Sequence, residues 1–96
     1  MTREDVLTAL REHREELARM HMRSLALFGS VARDQAALDS DVDLLVEFSK
    51  PVGLFEFLDL KERLEQILGR PVDLVTREAL KPQLKDRILS EAVRAA

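Results

Sequence analysis

Three aspartates lie in segments of this sequence that otherwise have the apolar composition of buried strands. Asp41 and Asp43 belong to the segment DVDLLVEF (41–48), and Asp73 belongs to the segment VDLVT (72–76). Because residues i and i+2 of a strand point to the same face, Asp41 and Asp43 should be neighbours. If the two strands are adjacent, Asp73 joins them, and we expect three carboxylates to converge on one face.

Three carboxylates at one place would repel one another, and a hard divalent cation removes this conflict. Mg²⁺ prefers oxygen ligands and keeps positions for water and phosphate. Two such ions about 3.5–4 Å apart are used for in-line displacement at phosphorus. The pattern therefore predicts that Asp41, Asp43 and Asp73 bind metal. Each aspartate also has a structural interpretation, because Asp is common at turns and Asp73 could pair with Arg70.

A Gly-Ser pair precedes these aspartates and could bind phosphate. Gly29 has no Cβ, so its backbone permits close approach of a ligand. Ser30 is predicted at or near the N-cap of a short helix, whose first N–H groups would face an anion. Arg33 lies one helical turn further on and could reach the same phosphate. The alternative is a plain strand-to-helix turn with a serine cap.

The elements that must position these residues follow from the spacing of apolar side chains. Thr2 and Asp5 resemble a capping pair at the start of a first helix, which should end near residues 20–22, with His13 as a half-buried helix residue and not a ligand. We expect strands over residues 24–28, 41–48 and 72–76, and helices over residues 54–68 and 83–93.

This order of elements predicts an α+β fold in one domain that spans residues 1–96, with a small sheet of three or four strands packed against helices. Leu84, Ile88 and Leu89 of the last helix should face inward. Phe55 and Phe57 cannot both face inward on one helix, so one of them should be exposed. An exposed Phe is a weak indication of a homo-oligomer or of partner docking.

Composition limits the classes of function. The net charge of −3 argues against an extended nucleic-acid-binding surface, which is normally basic. The absence of Cys excludes disulfides and thiolate metal sites. No apolar run approaches the roughly 20 residues that span a bilayer, so we expect no membrane association and a cytoplasmic location.

Three quoted segments together resemble the DNA polymerase β-type nucleotidyltransferase superfamily, namely LFGSVAR, SDVDLLVEF and VDLV. Length and helix order are similar to the minimal nucleotidyltransferases (MNT) of HEPN/MNT toxin–antitoxin pairs. The resemblance extends over residues 6–93. It implies that Gly29 and Ser30 hold nucleotide phosphates, that Asp41 and Asp43 bind both metals, and that Asp73 binds the catalytic metal and helps to activate the attacking hydroxyl.

The resemblance also implies a function and a partner. The expected reaction is Mg²⁺-dependent transfer of NMP, with AMP from ATP as the expected case, onto a hydroxyl of a protein acceptor. Two Mg²⁺ ions would assist, and a HEPN-type toxin would be the partner. One departure is Asp34, where the family often has Gly. The alternative function is a non-catalytic antitoxin that masks its partner by surface contact.

Overall fold

The computed structural model describes residues 2–32 and 41–96. Two helices precede the first strand, strands and helices alternate after it, and a 3₁₀ turn follows the third strand. In chain order they are α1 (Arg3–Glu12), α2 (Arg14–Ala18), β1 (Met22–Phe28), α3 (Gly29–Ala32), β2 (Val42–Phe48), α4 (Leu54–Leu68), β3 (Val72–Thr76), the 3₁₀ turn (Arg77–Ala79), α5 (Pro82–Glu91) and β4 (Val93–Arg94).

The strands form one mixed sheet of four strands in the order β3-β2-β1-β4. β1 is antiparallel to both of its neighbours. β2 and β3 are parallel, and α4 is the crossover helix that parallel neighbours require. The α+β class and the small mixed sheet predicted from the sequence are thus confirmed.

The hydrophobic core lies on one face of the sheet. Alternate residues of β1 and β2, such as Leu25, Leu27 and Leu44, are fully buried there. Leu10 of α1 and Leu64 of α4 are also fully buried and belong to the same cluster. These helices therefore cover one face of the sheet. We call the opposite face the open face, because Asp43 and Asp73 are accessible there, although Leu45 on the same face is buried.

The first helix begins as predicted but ends earlier. The backbone N–H of Asp5 donates to Thr2 Oγ1 at 3.2 Å, and the N–H of Thr2 donates to the Asp5 carboxylate at 3.0 Å. The prediction of one continuous helix to residues 20–22 is wrong, because the helix is interrupted at His13, between α1 and α2. The Nδ1 atom of the His13 ring lies 2.8 Å from the carbonyl oxygen of Ala9, which the backbone N–H of His13 would bond in a continuous helix. That N–H donates to the carbonyl oxygen of Leu10.

The crossover helix α4 has the predicted bounds because local signals mark both ends. The N–H of Gly53 donates to the Glu56 carboxylate at 2.7 Å. Gly69 stops the helix in the left-handed conformation, with φ of 66°, which costs glycine little. Phe55 is 82% exposed, whereas Phe57 packs against the core. One phenylalanine is exposed as predicted, and homo-oligomerisation stays a prediction.

The carboxyl-terminal part of the chain differs from the prediction. A helix over 83–93 was expected, but α5 ends at Glu91 and Val93 begins β4. Val93 pairs with Leu27 of β1, because the free edge of β1 offers backbone groups that a strand can satisfy. The expectation that Leu84 faces inward is also wrong, since its side chain is 47% exposed.

Among residues 2–32 and 41–96, no helix combines the length and the apolar character needed to cross a membrane. The helix α4 has 15 residues, whereas a spanning helix needs about 20 apolar residues.

Candidate active site

Asp43 and Asp73 lie beside each other on the two parallel strands. The register of β2 and β3 pairs Val42 with Val72 and Asp43 with Asp73. Register partners point to the same face, and adjacent strands are about 4.8 Å apart, so the two side chains are neighbours. Val42 and Val72 are buried in the core. The carboxylates therefore project from the open face of the sheet, on the same side.

Gly29 packs directly against the side chain of Asp43. It begins α3 with φ of 74°, a conformation that L side chains rarely adopt. A Cβ at this position would collide with Asp43 Oδ2 and lie 3.0 Å from Asp43 Cγ. Only glycine fits between the end of β1 and this carboxylate. Gly29 and the pair formed by Asp43 and Asp73 are thus adjacent in the fold, and their joint use as a site stays a prediction.

Asp41 lies outside the strand pairing that positions the other two aspartates. It is exposed and precedes Val42, the first residue of β2. In the described parts of the chain, no three His, Cys, Asp or Glu side chains are grouped closely enough to hold a metal ion. The structure thus brings together Asp43 and Asp73, and it does not enclose them with Asp41 as a three-carboxylate ligand set, because strand pairing begins only after Asp41.

The remaining predicted phosphate-binding residues follow Gly29. Ser30 is the second residue of α3 and not its N-cap, because the helix begins at Gly29. With only four residues, α3 has a small dipole, so helix electrostatics would contribute little to phosphate binding at Gly29, its first residue. Arg33 and Asp34 lie outside the described residues.

Phe28 is a residue of the site that the sequence pattern did not single out. It is the register partner of Asp43 on β1, so Phe28, Asp43 and Asp73 form a row across the open face. The signal was present in the sequence, because Leu25 and Leu27 alternate with Ala26 and Phe28. The first pair is buried in the core, which leaves the aromatic ring of Phe28 beside the carboxylates.

The accessibility of the carboxylates decides what this arrangement can do. Asp43 is half-buried and Asp73 is exposed, so ligands can reach both side chains from solvent. Carboxylate oxygens are the ligands that Mg²⁺ prefers, and Mg²⁺ bound in this way usually retains positions for phosphate. The lack of a Cβ at Gly29 leaves room for the Asp43 carboxylate, so this turn helps to position one of the oxygen ligands. The site therefore has the chemistry of metal-assisted phosphoryl or nucleotidyl transfer.

Comparison with known families agrees with this chemistry. Residues 10–95 match the model of the nucleotidyltransferase domain. The chain belongs to this family. The nucleotidyltransferase is 40% identical over 94 residues to the protein adenylyltransferase MntA of Thermococcus cleftensis, a match that covers 97% of this chain and 95% of the relative. The resemblance to the minimal nucleotidyltransferases is thus confirmed.

Solved structures extend the comparison to the fold. The nucleotidyltransferase superimposes with a TM-score of 0.76 on a structure described as a minimal nucleotidyltransferase, at 40% identity over 97% of this chain and 95% of the other. It also matches a chain from the structure of a tri-AMPylated Shewanella oneidensis HEPN toxin in complex with an MNT antitoxin. That match has a TM-score of 0.59 at 16% identity and covers 90% of this chain and 71% of the other, so it speaks for the fold alone.

Proposed function

We propose that this nucleotidyltransferase moves AMP from ATP onto a hydroxyl group of a protein acceptor, and that the acceptor is a HEPN-type toxin. The observation that carries the proposal is the position of Asp43 next to both Asp73 and Gly29. This arrangement joins a candidate metal site to a candidate phosphate site within one small surface. The chain would thus act as the antitoxin of a toxin–antitoxin pair.

The donor set fits Mg²⁺, the cofactor of the proposal. Asp43 and Asp73 offer only oxygen atoms, and both are accessible from the open face. Asp41 is exposed and immediately precedes β2, and it would complete the ligands for two Mg²⁺ ions. When bound, the ions would neutralise charge that develops on the phosphates.

The residues of the chain have separable tasks in the proposed reaction. Gly29 and Ser30 would hold the triphosphate, with Arg33 as a further phosphate ligand. The acceptor oxygen attacks the α-phosphorus and forms a new P–O bond, while the bond from the α-phosphorus to the bridging oxygen breaks. Pyrophosphate leaves with the electron pair of that bond. The hydroxyl proton passes toward Asp73, which acts as the base. Rate acceleration arises mainly from positioning and charge stabilisation.

Two comparisons support a protein acceptor of this kind. The relative from Thermococcus cleftensis is named a protein adenylyltransferase, and the Shewanella oneidensis complex contains a HEPN toxin that carries AMP.

The proposal is tested by incubating the protein with its cognate HEPN toxin, Mg²⁺ and ATP labelled at the α-phosphate. We expect label on the toxin. Asp43→Asn should reduce the transfer at least about a hundredfold, because a neutral amide stabilises a cation far less than a carboxylate does. The matched control is Asp59→Asn, which changes an exposed aspartate on α4 and should retain transfer.

Two results would contradict the proposal, the first its enzymatic function and the second its site. One is the absence of label on the toxin with the wild-type protein while the toxin is still neutralised, which would favour masking by surface contact. The other is unchanged transfer by a folded Asp43→Asn variant, which would move the chemistry away from this site.

A further inference from the structure

The strand β3 forms the edge of the sheet that lies next to the candidate active site. In the strand order β3-β2-β1-β4, β2 is the one strand that pairs with β3 among residues 2–32 and 41–96. Phe28, Asp43 and Asp73 lie in one row across the open face, and the row ends with Asp73 on β3. Asp73 is exposed, so a further strand at this edge would extend the row of site residues.

The hydrogen-bond ladder shows which backbone groups β3 turns outward. The N–H of Val42 on β2 donates to the carbonyl of Pro71 at 3.0 Å, and in a parallel ladder every second residue bonds to the same neighbour. The residues between them, Val72, Leu74 and Thr76, therefore turn their backbone groups away from β2. The N–H of Val72 agrees with this direction, because it donates to a carboxylate of α4 at 3.0 Å. Leu74 and Thr76 thus present their backbone groups at the edge.

The strand β3 lacks several features by which natural proteins protect an edge. Its sequence VDLVT has neither lysine nor proline, and its register with β2 continues without a bulge from Val72 to Thr76. Its one charged residue is Asp73, which belongs to the candidate site. An edge of this kind is a template on which an extended segment of another chain can pair.

We propose that an extended segment of the acceptor protein pairs with β3 as an additional strand and thereby places its hydroxyl beside Asp73, an inference that rests on the proposed function and deepens it. The residue of the added strand opposite Asp73 points to the same face, with its Cβ about 4.5–5.5 Å from that of Asp73. A serine or threonine at this position, or a tyrosine at the diagonal position, can bring its hydroxyl to the Asp73 carboxylate.

Charge favours this occupant of the edge over a second copy of the chain. Two antiparallel β3 strands that overlap completely would place Asp73 opposite Val75, and the two Asp73 side chains would be diagonal neighbours about 7–8 Å apart. Like charges at this distance repel each other, and a valine has no hydroxyl to modify. A neutral hydroxyl side chain beside Asp73 avoids the repulsion and supplies the group that the reaction needs.

Backbone amide hydrogen exchange tests the edge in the wild-type protein. The isotope-labelled nucleotidyltransferase is held with Mg²⁺ and α,β-methylene-ATP, whose α–β linkage is not cleaved, and exchange is measured by NMR with and without the cognate HEPN toxin. We expect the toxin to slow exchange of the Leu74 and Thr76 amides at least about tenfold, because they become hydrogen-bonded. The amides of Asp73 and Val75 already face β2 and should change much less.

A proline variant tests one of the outward groups. Thr76→Pro removes an N–H that points away from β2, a position at which an edge strand tolerates proline, and the φ of Thr76 is −94°. The variant should raise the KM for the toxin about fivefold, as expected for the loss of one hydrogen bond. Its affinity for α,β-methylene-ATP, measured by isothermal titration calorimetry, should not change. The matched control is Thr76→Val, which keeps the N–H and should leave both quantities unchanged.

Three results would overturn the edge as the docking site while AMP transfer to the toxin persists. They are unchanged exchange at Leu74 and Thr76 in the complex, a wild-type KM for a folded Thr76→Pro variant, and slowed exchange when the protein is concentrated without toxin, which would assign the edge to a second copy. Each leaves the proposed function intact. The exchange experiment needs no variant, so it decides even where Thr76→Pro does not fold. A wild-type protein that transfers no AMP would overturn the proposed function and this inference with it.

Discussion

At the residue scale, two glycines share a left-handed backbone but differ in their surroundings. Gly29 and Gly69 have φ of 74° and 66°. A Cβ at Gly29 would strike the Asp43 carboxylate, whereas a Cβ at Gly69 would have nothing within 4 Å. Backbone strain is therefore common to both positions, and interference with the candidate site is peculiar to Gly29.

We predict that Gly29→Ala and Gly69→Ala each lower the free energy of unfolding by about 1–2 kcal/mol, the cost of a left-handed L residue. Only Gly29→Ala should also abolish AMP transfer, because it displaces Asp43. Urea denaturation and the transfer assay measure the two effects separately. Wild-type transfer by Gly29→Ala would contradict the close packing of this turn against the carboxylate.

At the scale of the elements, α4 has one face in the core and another in solvent. Leu60 is fully buried, whereas Phe55 is 82% exposed. We predict that Leu60→Ala lowers the free energy of unfolding by about 2–5 kcal/mol, since it removes apolar contacts and leaves a cavity. Phe55→Ala should change it by less than about 0.5 kcal/mol. Denaturant titration measures both, and a large loss for Phe55→Ala would indicate that a homo-oligomer covers this residue.

An ion pair joins α2 to α4. Arg63 Nε lies 2.6 Å from Glu16 Oε1, and Arg63 Nη2 donates to Glu16 Oε2 at 3.1 Å. The hydrogen bond from Arg63 lowers the pKa of the Glu16 carboxyl below its ordinary value of 4.5. A lowered pKa in the folded state adds stability above the pKa of the unfolded chain, and this contribution disappears as the pH falls through the folded value.

We therefore predict that Glu16→Gln lowers the Tm at pH 7 and that the difference from wild type shrinks as the pH is lowered below about 4.5. Thermal melts across this range measure the difference. Glu15→Gln, which changes an exposed neighbour, is the control and should follow the wild type. A gap between Glu16→Gln and wild type that stays constant down to pH 3 would contradict the ion pair as its source.

At the scale of the whole molecule, β4 and the two residues after it pair with β1 and form one edge of the sheet. The N–H of Ala95 donates to the carbonyl of Leu25 at 2.7 Å, and the N–H of Leu25 donates to Ala96 at 3.1 Å. Ala95 is 2% exposed. The contacts hold the edge of β1, which at its other end leads into Gly29.

We predict that Ala95→Asp lowers the free energy of unfolding by at least about 2 kcal/mol, because it buries a charge without a partner. The control Ala79→Asp changes an exposed alanine of the 3₁₀ turn and should be nearly neutral. Urea denaturation compares them. A stable Ala95→Asp variant would show that the contact of residues 95–96 with β1 is dispensable for the fold.

Much of this architecture was predictable because its signals are local. The helix at residues 54–68 has a glycine on each side, and the strand at 72–76 has a short apolar pattern after Pro71, so both were predicted with the bounds that the structure shows. The interruption of the helix at His13 depends on the His13 side chain, which competes with the backbone for the carbonyl oxygen of Ala9. Such competition leaves no mark in the spacing of apolar residues.

The sequence by itself determined which side chains of each strand share a face of the sheet, because successive side chains of a strand point to opposite faces. It thereby assigned Asp43 to one face and Val42 to the other, and it carried the motifs that identify a nucleotidyltransferase. Only the tertiary structure decided that β3 lies parallel to β2 in the register that puts Asp73 beside Asp43, and that α5 stands next to Phe28. Those relations depend on how the crossover helix and the final strand pack, and packing between distant segments is not a local property of the chain.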